Sequence, residues 1–391
     1  MSETTTAAGR RAGPRNDAAA PGPILCVVGA RPNYMKMAPM LEAFRAIGEP
    51  TLLVHTGQHY DESMNDQNFR ALGLPRPDVY LEVGSASHGR QTAEIMSRFE
   101  PVVEEYRPRM VVVVGDVNST IACALVAVKM GVPVAHVEAG LRSFDRGMPE
   151  EINRVLTDQI SDLLFTTEPS AAENLAREGI DASRVHFAGN VMIDSVLRNR
   201  ERAVPARELI GDELAAGPYA VLTLHRPSNV DEPRILRRLL EVISEISERI
   251  PVVFPMHPRT RARIDAAGLE ALVEGGRLIT LPPVDYLQMI GLVRDATMVL
   301  TDSGGLQEET TAMGVPCLTI RENTERPITI DQGTNTLVGT DPAAIRAAAF
   351  QVLDSGGKAG RIPDKWDGRT AERIARIVSE WCAARPEARL S

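Results

Sequence analysis

A chain of 391 residues has room for two or three domains at roughly 150 residues each. Hydrophobic residues at 43% and charged residues at 24% are the proportions of a globular protein with a sizeable core, and a formal net charge of −9 argues against nucleic acid as a partner. Cys26, Cys123, Cys317 and Cys382 form no CxxC pair, and no apolar run reaches the roughly 18 residues of a membrane span. A disulfide framework, a structural zinc site and a membrane anchor are therefore not expected.

In chain order, the N-terminal segment comes first. Arg10 and Arg11 lack the apolar stretch that an export signal carries behind its arginines, since Ala, Gly, Pro, Asn and Asp fill the positions up to Gly22. Residues 1–21 read as a disordered tail, and the expected location is the cytoplasm. Short apolar runs at 24–28, 51–55, 110–115, 132–137, 163–166 and 185–188 have the character of strands buried on both faces of a parallel sheet. Helical patterns at 35–47, 93–106 and 120–130 alternate with them, the signature of βαβ units.

A second series follows, with strands at 220–224, 252–256, 278–281, 298–301 and 316–319 and helices at 232–249 and 306–313. The charged stretch 194–214 separates the two series and is the expected hinge. The sequence thus predicts an α/β protein of two doubly wound, Rossmann-like domains facing a central cleft. An N-terminal domain would span 22–193 and a C-terminal domain 194–368, and a final helix within 369–391 would pack back on the N-terminal domain.

Ligands of open parallel sheets sit beyond the carboxyl ends of the strands, so the loops there carry the functional reading. After the first strand come Gly29, Ala30, Arg31, Pro32 and Asn33, with Lys36 one turn into the helix. Arg31 can donate a fork of hydrogen bonds to phosphate; a plain turn with a surface arginine fits the same residues. After 298–301 come Asp302, Ser303, Gly304 and Gly305, then Glu308 and Glu309. Ser303 can cap that helix, and the glycines leave its backbone N–H groups open to a pyrophosphate, with an acid one turn on for ribose hydroxyls. Other strand ends deliver Asp116, Glu138 and His225, and the polar stretch 140–154 adds Arg142, Glu150, Glu151 and Arg154. Any one of these carboxylates can be a helix cap or a partner of Arg142 or Arg154; several together beside an anion site suit acid–base work on a bound sugar.

Two motifs are set aside. His136, Glu138 and Cys317 resemble half of a zinc deaminase signature, but Ile320 stands where its second cysteine belongs. His55 and His59 lack the glutamate of HExxH, so no metal site is expected. The first loop lacks GxGxxG, which argues against a tightly held nicotinamide, and Gly357-Lys358 lacks the glycine-rich run of a P-loop.

Nine segments in family order carry a resemblance. They are GARPNYMKMAPM (29–40), TGQHYD (56–61), GDVNST (115–120), HVEAGLRSFDRGMPEEINR (136–154), GNVMIDS (189–195), LHRPSNVD (224–231), HPRT (257–260), TDSGGLQEE (301–309) and TERP (324–327). From about 24 to 381 the chain resembles the non-hydrolysing UDP-N-acetylglucosamine 2-epimerases. The resemblance implies a GT-B-like fold, a homodimer, a UDP-sugar substrate, and no need of metal or nicotinamide. Matched by position, Arg31, His225, Ser303, Gly304, Gly305, Glu309 and Arg326 look like contacts to UDP, with Lys36 also at the substrate. Lys36, Asp116, Glu138, Glu150 and His225 match the family's proposed catalytic group. Many members read QHR after the second strand and use that region for a second, activating sugar nucleotide. Here it reads Gln58, His59, Tyr60, Asp61, as in another branch of the family, so the departure counts against activation by substrate, and Gln58 and His59 are the positions where a second or regulatory site would lie.

The expected reaction is elimination of UDP to 2-acetamidoglucal followed by re-addition with a proton on the opposite face of C2. A hydrolysing epimerase that admits water to the glycal, a GT-B glycosyltransferase and a sugar-nucleotide sensor are the alternatives. Relatives acting on C3-modified or uronic-acid sugars share the motifs.

Overall fold

The computed structural model describes residues 22–58, 73–274 and 277–385. The expected tail 1–21 and the positions His59, Tyr60 and Asp61 lie outside the described residues, as does the side chain of Arg31. Two all-parallel sheets make up the frame. The first has the order β3-β2-β1-β4-β5-β6-β7, from strands Ile24–Val28 (β1), Thr51–His55 (β2), Val79–Tyr80 (β3), Met110–Val114 (β4), Val134–Ala139 (β5), Leu163–Thr166 (β6) and Val185–Phe187 (β7). The second has the order β10-β9-β8-β11-β12-β13, from Ala220–Thr223 (β8), Val252–Pro255 (β9), Leu278–Leu281 (β10), Met298–Thr301 (β11), Cys317–Thr319 (β12) and Asn335–Leu337 (β13). These are two Rossmann-like domains of GT-B type. Two short edge strands, β3 and β13, carry too few apolar residues to stand out in the sequence.

Strand alternation explains how one apolar run serves two layers. Ile24, Cys26 and Val28 of β1 pack against Tyr34, Met37 and Phe44 of the helix Arg31–Ala46. Leu25 and Val27 point the other way, to Ile95, Phe99 and Val103 of the helix His88–Tyr106. In the second sheet Ala220 and Leu222 meet Leu239 and Ile243 of the helix Pro233–Ser247.

The helix Val191–Asn199, at the start of the expected hinge, touches Arg31–Ala46, Gly304–Met313 and the C-terminal helix Thr370–Ala383. Asp194 caps that last helix by accepting from Thr370 N (3.2 Å) and Ala371 N (2.7 Å). Thr370–Ala383 in turn lies on Arg31–Ala46, where Ser379 hydrogen-bonds Glu49. Trp366, buried, donates to the Thr167 carbonyl (3.1 Å). No helix among the described residues is long and apolar enough to cross a membrane.

Candidate active site

In each sheet the strand order reverses between two neighbours, β1 and β4 in one and β8 and β11 in the other. A crevice opens at such a switch point, beyond the carboxyl ends of the strands. At the first crevice Asn33 ties the loops together. Its Oδ1 accepts from Ala30 N (3.1 Å) and its Nδ2 donates to the Val114 carbonyl (3.0 Å). Gly29 is required by a close approach, since a Cβ there would stand 2.0 Å from Ser119 Oγ.

The N-terminal half brings three acids to this edge. Asp116 follows β4, and its carboxylate is gripped by Arg154 through Nε (3.2 Å) and Nη2. Burial pushes the Asp116 carboxyl up, but the charge and hydrogen bonds of Arg154, with Lys36 and Arg326, outweigh it and hold the group below the usual range. Glu138 sits in the bulge that shifts the β5–β6 register between Val137 and Ala139, with φ of 74°. A non-glycine residue there costs about 1–3 kcal/mol, a strain that characteristically collects at functional sites. Its buried carboxylate joins Lys36 on one side and Arg326 Nη2 (2.6 Å) of the other domain on the other.

Glu150 and Glu151 open the helix Pro149–Ile160 and part ways at once. Glu150, half-buried, lines a cavity of about 280 Å³ with Asp116. Glu151 is buried and spent on Ser143 N, Ser143 Oγ and Phe144 N (2.9 Å each). The far wall of the cavity is a network of amides. Ser119 N and Oγ donate to Gln58 Oε1 (3.1 and 2.7 Å), Gln91 Nε2 to the Gln58 carbonyl (3.1 Å), and Asn118 Nδ2 to Gln91 Oε1 (2.8 Å).

The second crevice holds His225, whose Nδ1 lies 2.8 Å from Asp302 Oδ1. Asp302, fully buried, also accepts from His225 N (2.9 Å), Arg226 N (2.9 Å) and Asn229 Nδ2 (3.2 Å). Burial raises the Asp302 carboxyl, and the bonds to His225 and Arg226 more than reverse it. That grip fixes the imidazole and leaves Nε2 as the nitrogen available to a ligand.

Beside it the helix Gly304–Met313 begins two residues earlier than the apolar pattern indicated, because glycines carry no pattern. Ser303 occupies its N-cap position without a side-chain cap bond, so the cap expected from its residue type is not made. Four N–H groups at such an end attract an anion. A Cβ on Gly304 would lie 2.9 Å from Glu325 Oε1, which explains the glycine there; Gly305 faces Met192.

Arg326 does not stand open as a cation. Its guanidinium meets Glu138, Glu308 (Nε, 2.7 Å) and Glu325 (Nη1, 2.6 Å). Glu325 also pairs with Arg321 (2.9 Å), and it is held well below the usual carboxylate range: burial opposes ionisation, and Arg326, Arg321 and Arg226 outweigh it. Asn190 Nδ2 donates to Glu308 Oε1 (2.8 Å), while Glu308 Oε2 and Arg321 Nη1 are buried without a hydrogen-bond partner among the described residues. Glu309 is buried on the same helix, close enough for its charge to raise the Tyr286 hydroxyl beyond the effect of burial.

The structure therefore gathers Lys36, Glu138 and Arg326 into one buried cluster and Asp116 with Glu150 into one cavity, and sets His225 at the second crevice near Ser303 and Gly304. His136 belongs to the scaffold, with its ring between Asp158 Oδ1 (2.7 Å) and the Gly115 carbonyl (2.8 Å). Sequence reading passed over Asp302, Glu325 and Arg321 as site residues. Only the places of Asp302 in TDSGG and Glu325 in TERP, with Arg321 three residues before that motif, hinted at them, since a buried partner of a visible residue has no periodicity of its own.

A match to a family model then decides the kinship: residues 45–379 fit the model described as UDP-N-acetylglucosamine 2-epimerase. The chain belongs to the UDP-N-acetylglucosamine 2-epimerase family. Members are isomerases acting on carbohydrates. The UDP-N-acetylglucosamine 2-epimerase of Methanococcus maripaludis is 42% identical over 335 residues, 84% of this chain and 91% of that one. The UDP-2,3-diacetamido-2,3-dideoxy-D-glucuronate 2-epimerase of Pseudomonas aeruginosa is also 42% identical, over 81% of this chain and 88% of its own. Among solved structures, the Methanocaldococcus jannaschii UDP-GlcNAc 2-epimerase in complex with UDP-GlcNAc and UDP is similar with a TM-score of 0.82 and 39% identity. That match covers 91% of this chain and 99% of that one.

Proposed function

We propose that this epimerase interconverts UDP-N-acetylglucosamine and UDP-N-acetylmannosamine without releasing free sugar. The observation that carries the reading is the pairing of strand-end acids from one domain with an anion-ready helix end and a fixed histidine from the other. The C2 proton of an N-acetylhexosamine has no adjacent carbonyl to acidify it. Expelling the anomeric diphosphate solves this. The C1–O bond breaks with its electron pair going to UDP, a base takes the C2 proton, and the C–H pair forms the C1=C2 bond of 2-acetamidoglucal. The return step adds UDP to C1 while a second group protonates C2 from the other face.

In this scheme Arg31, His225 and the Ser303–Gly304–Gly305 helix end hold the departing diphosphate, and Glu309 accepts from ribose hydroxyls. Asp116 and Glu150, sharing a cavity, are the proton-transfer pair. Glu138 and Lys36 orient the sugar side of the cleft, and Arg326 reaches the nucleotide only by exchanging a carboxylate for it. Closure of the two domains would keep water from the glycal. The proposal extends to a cytoplasmic homodimer, checked by sedimentation, and to a second nucleotide at Gln58 and His59, checked by sigmoidal rate curves.

The Pseudomonas relative favours a second reading, in which the substrate is a C3-modified or uronic-acid UDP-sugar. The deciding experiment is proton NMR with UDP-N-acetylglucosamine in deuterated water. UDP-N-acetylmannosamine carrying deuterium at C2 is the expected product. Free N-acetylmannosamine with UDP would establish the hydrolysing reaction instead, and no change would send the search to modified sugars.

A further inference from the structure

We infer that Arg154 is the positioning residue of Asp116, that Glu151 holds Arg154 in place, and that Asp116 therefore enters the reaction as the ionised base. The inference rests on the epimerase reading above and deepens it. Residues three and four apart share a helix face, so both Glu150 and Glu151 are within reach of Arg154. The structure selects Glu151, with Arg154 Nη1 2.7 Å from its Oε2. Arg154 and Glu151 are both buried, and Glu151 has its remaining acceptor sites filled by Ser143 and Phe144. An arginine anchored in this way presents a rigid planar fork.

The other edge of that fork meets Asp116. Both Nε and Nη2 bond the same oxygen, Oδ2, which sets the rotation of the carboxylate and leaves Oδ1 as the oxygen to take a proton in the cavity. About a third of the Asp116 side chain is open (32%), so a substrate can reach it. The charged groups around Asp116 come from several elements. Arg154 is on Pro149–Ile160, Lys36 on Arg31–Ala46, and Arg326 in the second domain. Glu150 and His88 line the same cavity, and Glu138 is engaged by Lys36 and Arg326. Among the described residues no arginine pairs with Glu150, so the two acids of one cavity differ in a partner that only one possesses.

The chemistry follows from that difference. A carboxylate clamped by a guanidinium starts each turnover without a proton, and Asp116 Oδ1 takes the C2 proton as the C1–O pair departs with UDP. Protonation from the opposite face then falls to another group, and Glu150 is the acid that shares the space. The clamp also reaches the loop. Phe144, 73% exposed with φ of 59°, is held in that costly conformation by the same Glu151 carboxylate that anchors Arg154.

The test is a carboxyl 13C NMR titration of protein labelled at aspartate, with the Asp116 signal assigned by Asp116→Asn. In Arg154→Gln the Asp116 midpoint should rise by about one pH unit or more, and in Glu151→Gln by less. The acid limb of kcat/KM for UDP-N-acetylglucosamine should move by the same amount, with kcat down on the order of 10²-fold and KM within about threefold. Arg154→Lys should restore the midpoint but not kcat, since it returns charge without the fork. If Arg154→Gln does not fold, Glu151→Gln carries the titration alone. An unmoved midpoint in the variants that fold overturns the inference. The NMR midpoint does not depend on turnover, so it separates failure of the clamp from failure of the epimerase reading.

Discussion

The two sheets have the same strand order around their switch points, yet they arm the cleft by different means. The first sheet presents side chains: Asp116 after β4 and Glu138 at the bulge of β5, each held by a named cation. The second presents mostly backbone, the N-terminal end of Gly304–Met313, beside a His225 that Asp302 fixes in place. A backbone site binds an anion of fixed charge and needs no titrating group. Proton transfer needs carboxylates whose charge is set individually by their neighbours. Under the proposed function one architecture serves as a holding half and a reacting half, because what projects from a strand end, not the strand order, decides the chemistry.

Breaking the reacting half should have the largest effect. Asp116→Asn and Glu150→Gln are each expected to lower turnover by about 10²–10⁴-fold while UDP binding, followed by calorimetry, changes by less than about threefold. Unaltered turnover in both would remove the proton-transfer assignment.

The contact that joins the halves comes next. Glu138→Gln leaves Lys36 and Arg326 buried without their shared anion, and it should cost about 2–4 kcal/mol in denaturant unfolding. Glu150→Gln, at a half-buried position with no such pair among the described residues, should cost less than about 0.5 kcal/mol. Equal losses would mean that the interdomain ion pair contributes nothing.

A smaller effect sharpens the holding half. Gly304→Ala places a methyl against Glu325 Oε1 and Arg326 Nη1, and UDP affinity should fall by about tenfold with the fold intact. Affinity at the wild-type level would mean that the helix end is not where the diphosphate sits.

The smallest concerns Glu168, buried just past β6 with its carboxyl pushed up to about 7. Burial is the main cause; Ser170 and Arg326 oppose it, while Glu308 and Asp331 reinforce it. A raised carboxyl favours the fold only while protonated, so its contribution is lost as pH climbs from about 4.5 through about 7. Glu168→Gln should therefore raise stability at pH 8 and leave it unchanged below about pH 4.5, as read by thermal unfolding at both pH values. A gain at low pH instead would reverse the sign of the argument.

Much of this was legible in the sequence. Every long strand announced itself as a continuous apolar run, because strands covered on both faces have no polar side to show. The strand-end acids, His225 and the Ser303-Gly304-Gly305 turn were visible because loops beyond such runs carry residues that the core does not require. Other features depended on distance. Glu150 and Glu151 are indistinguishable neighbours in the chain, and only the helix phase sends one to the cavity and the other to Ser143 and Phe144. Glu138 and Arg326 are 188 positions apart, and their ion pair exists only because the domains meet there. The sequence by itself determined which elements form and which residue types reach their ends, since both follow from local periodicity and residue chemistry. The tertiary structure alone decided which charges pair, because pairing depends on separations of a few ångströms between segments far apart in the chain.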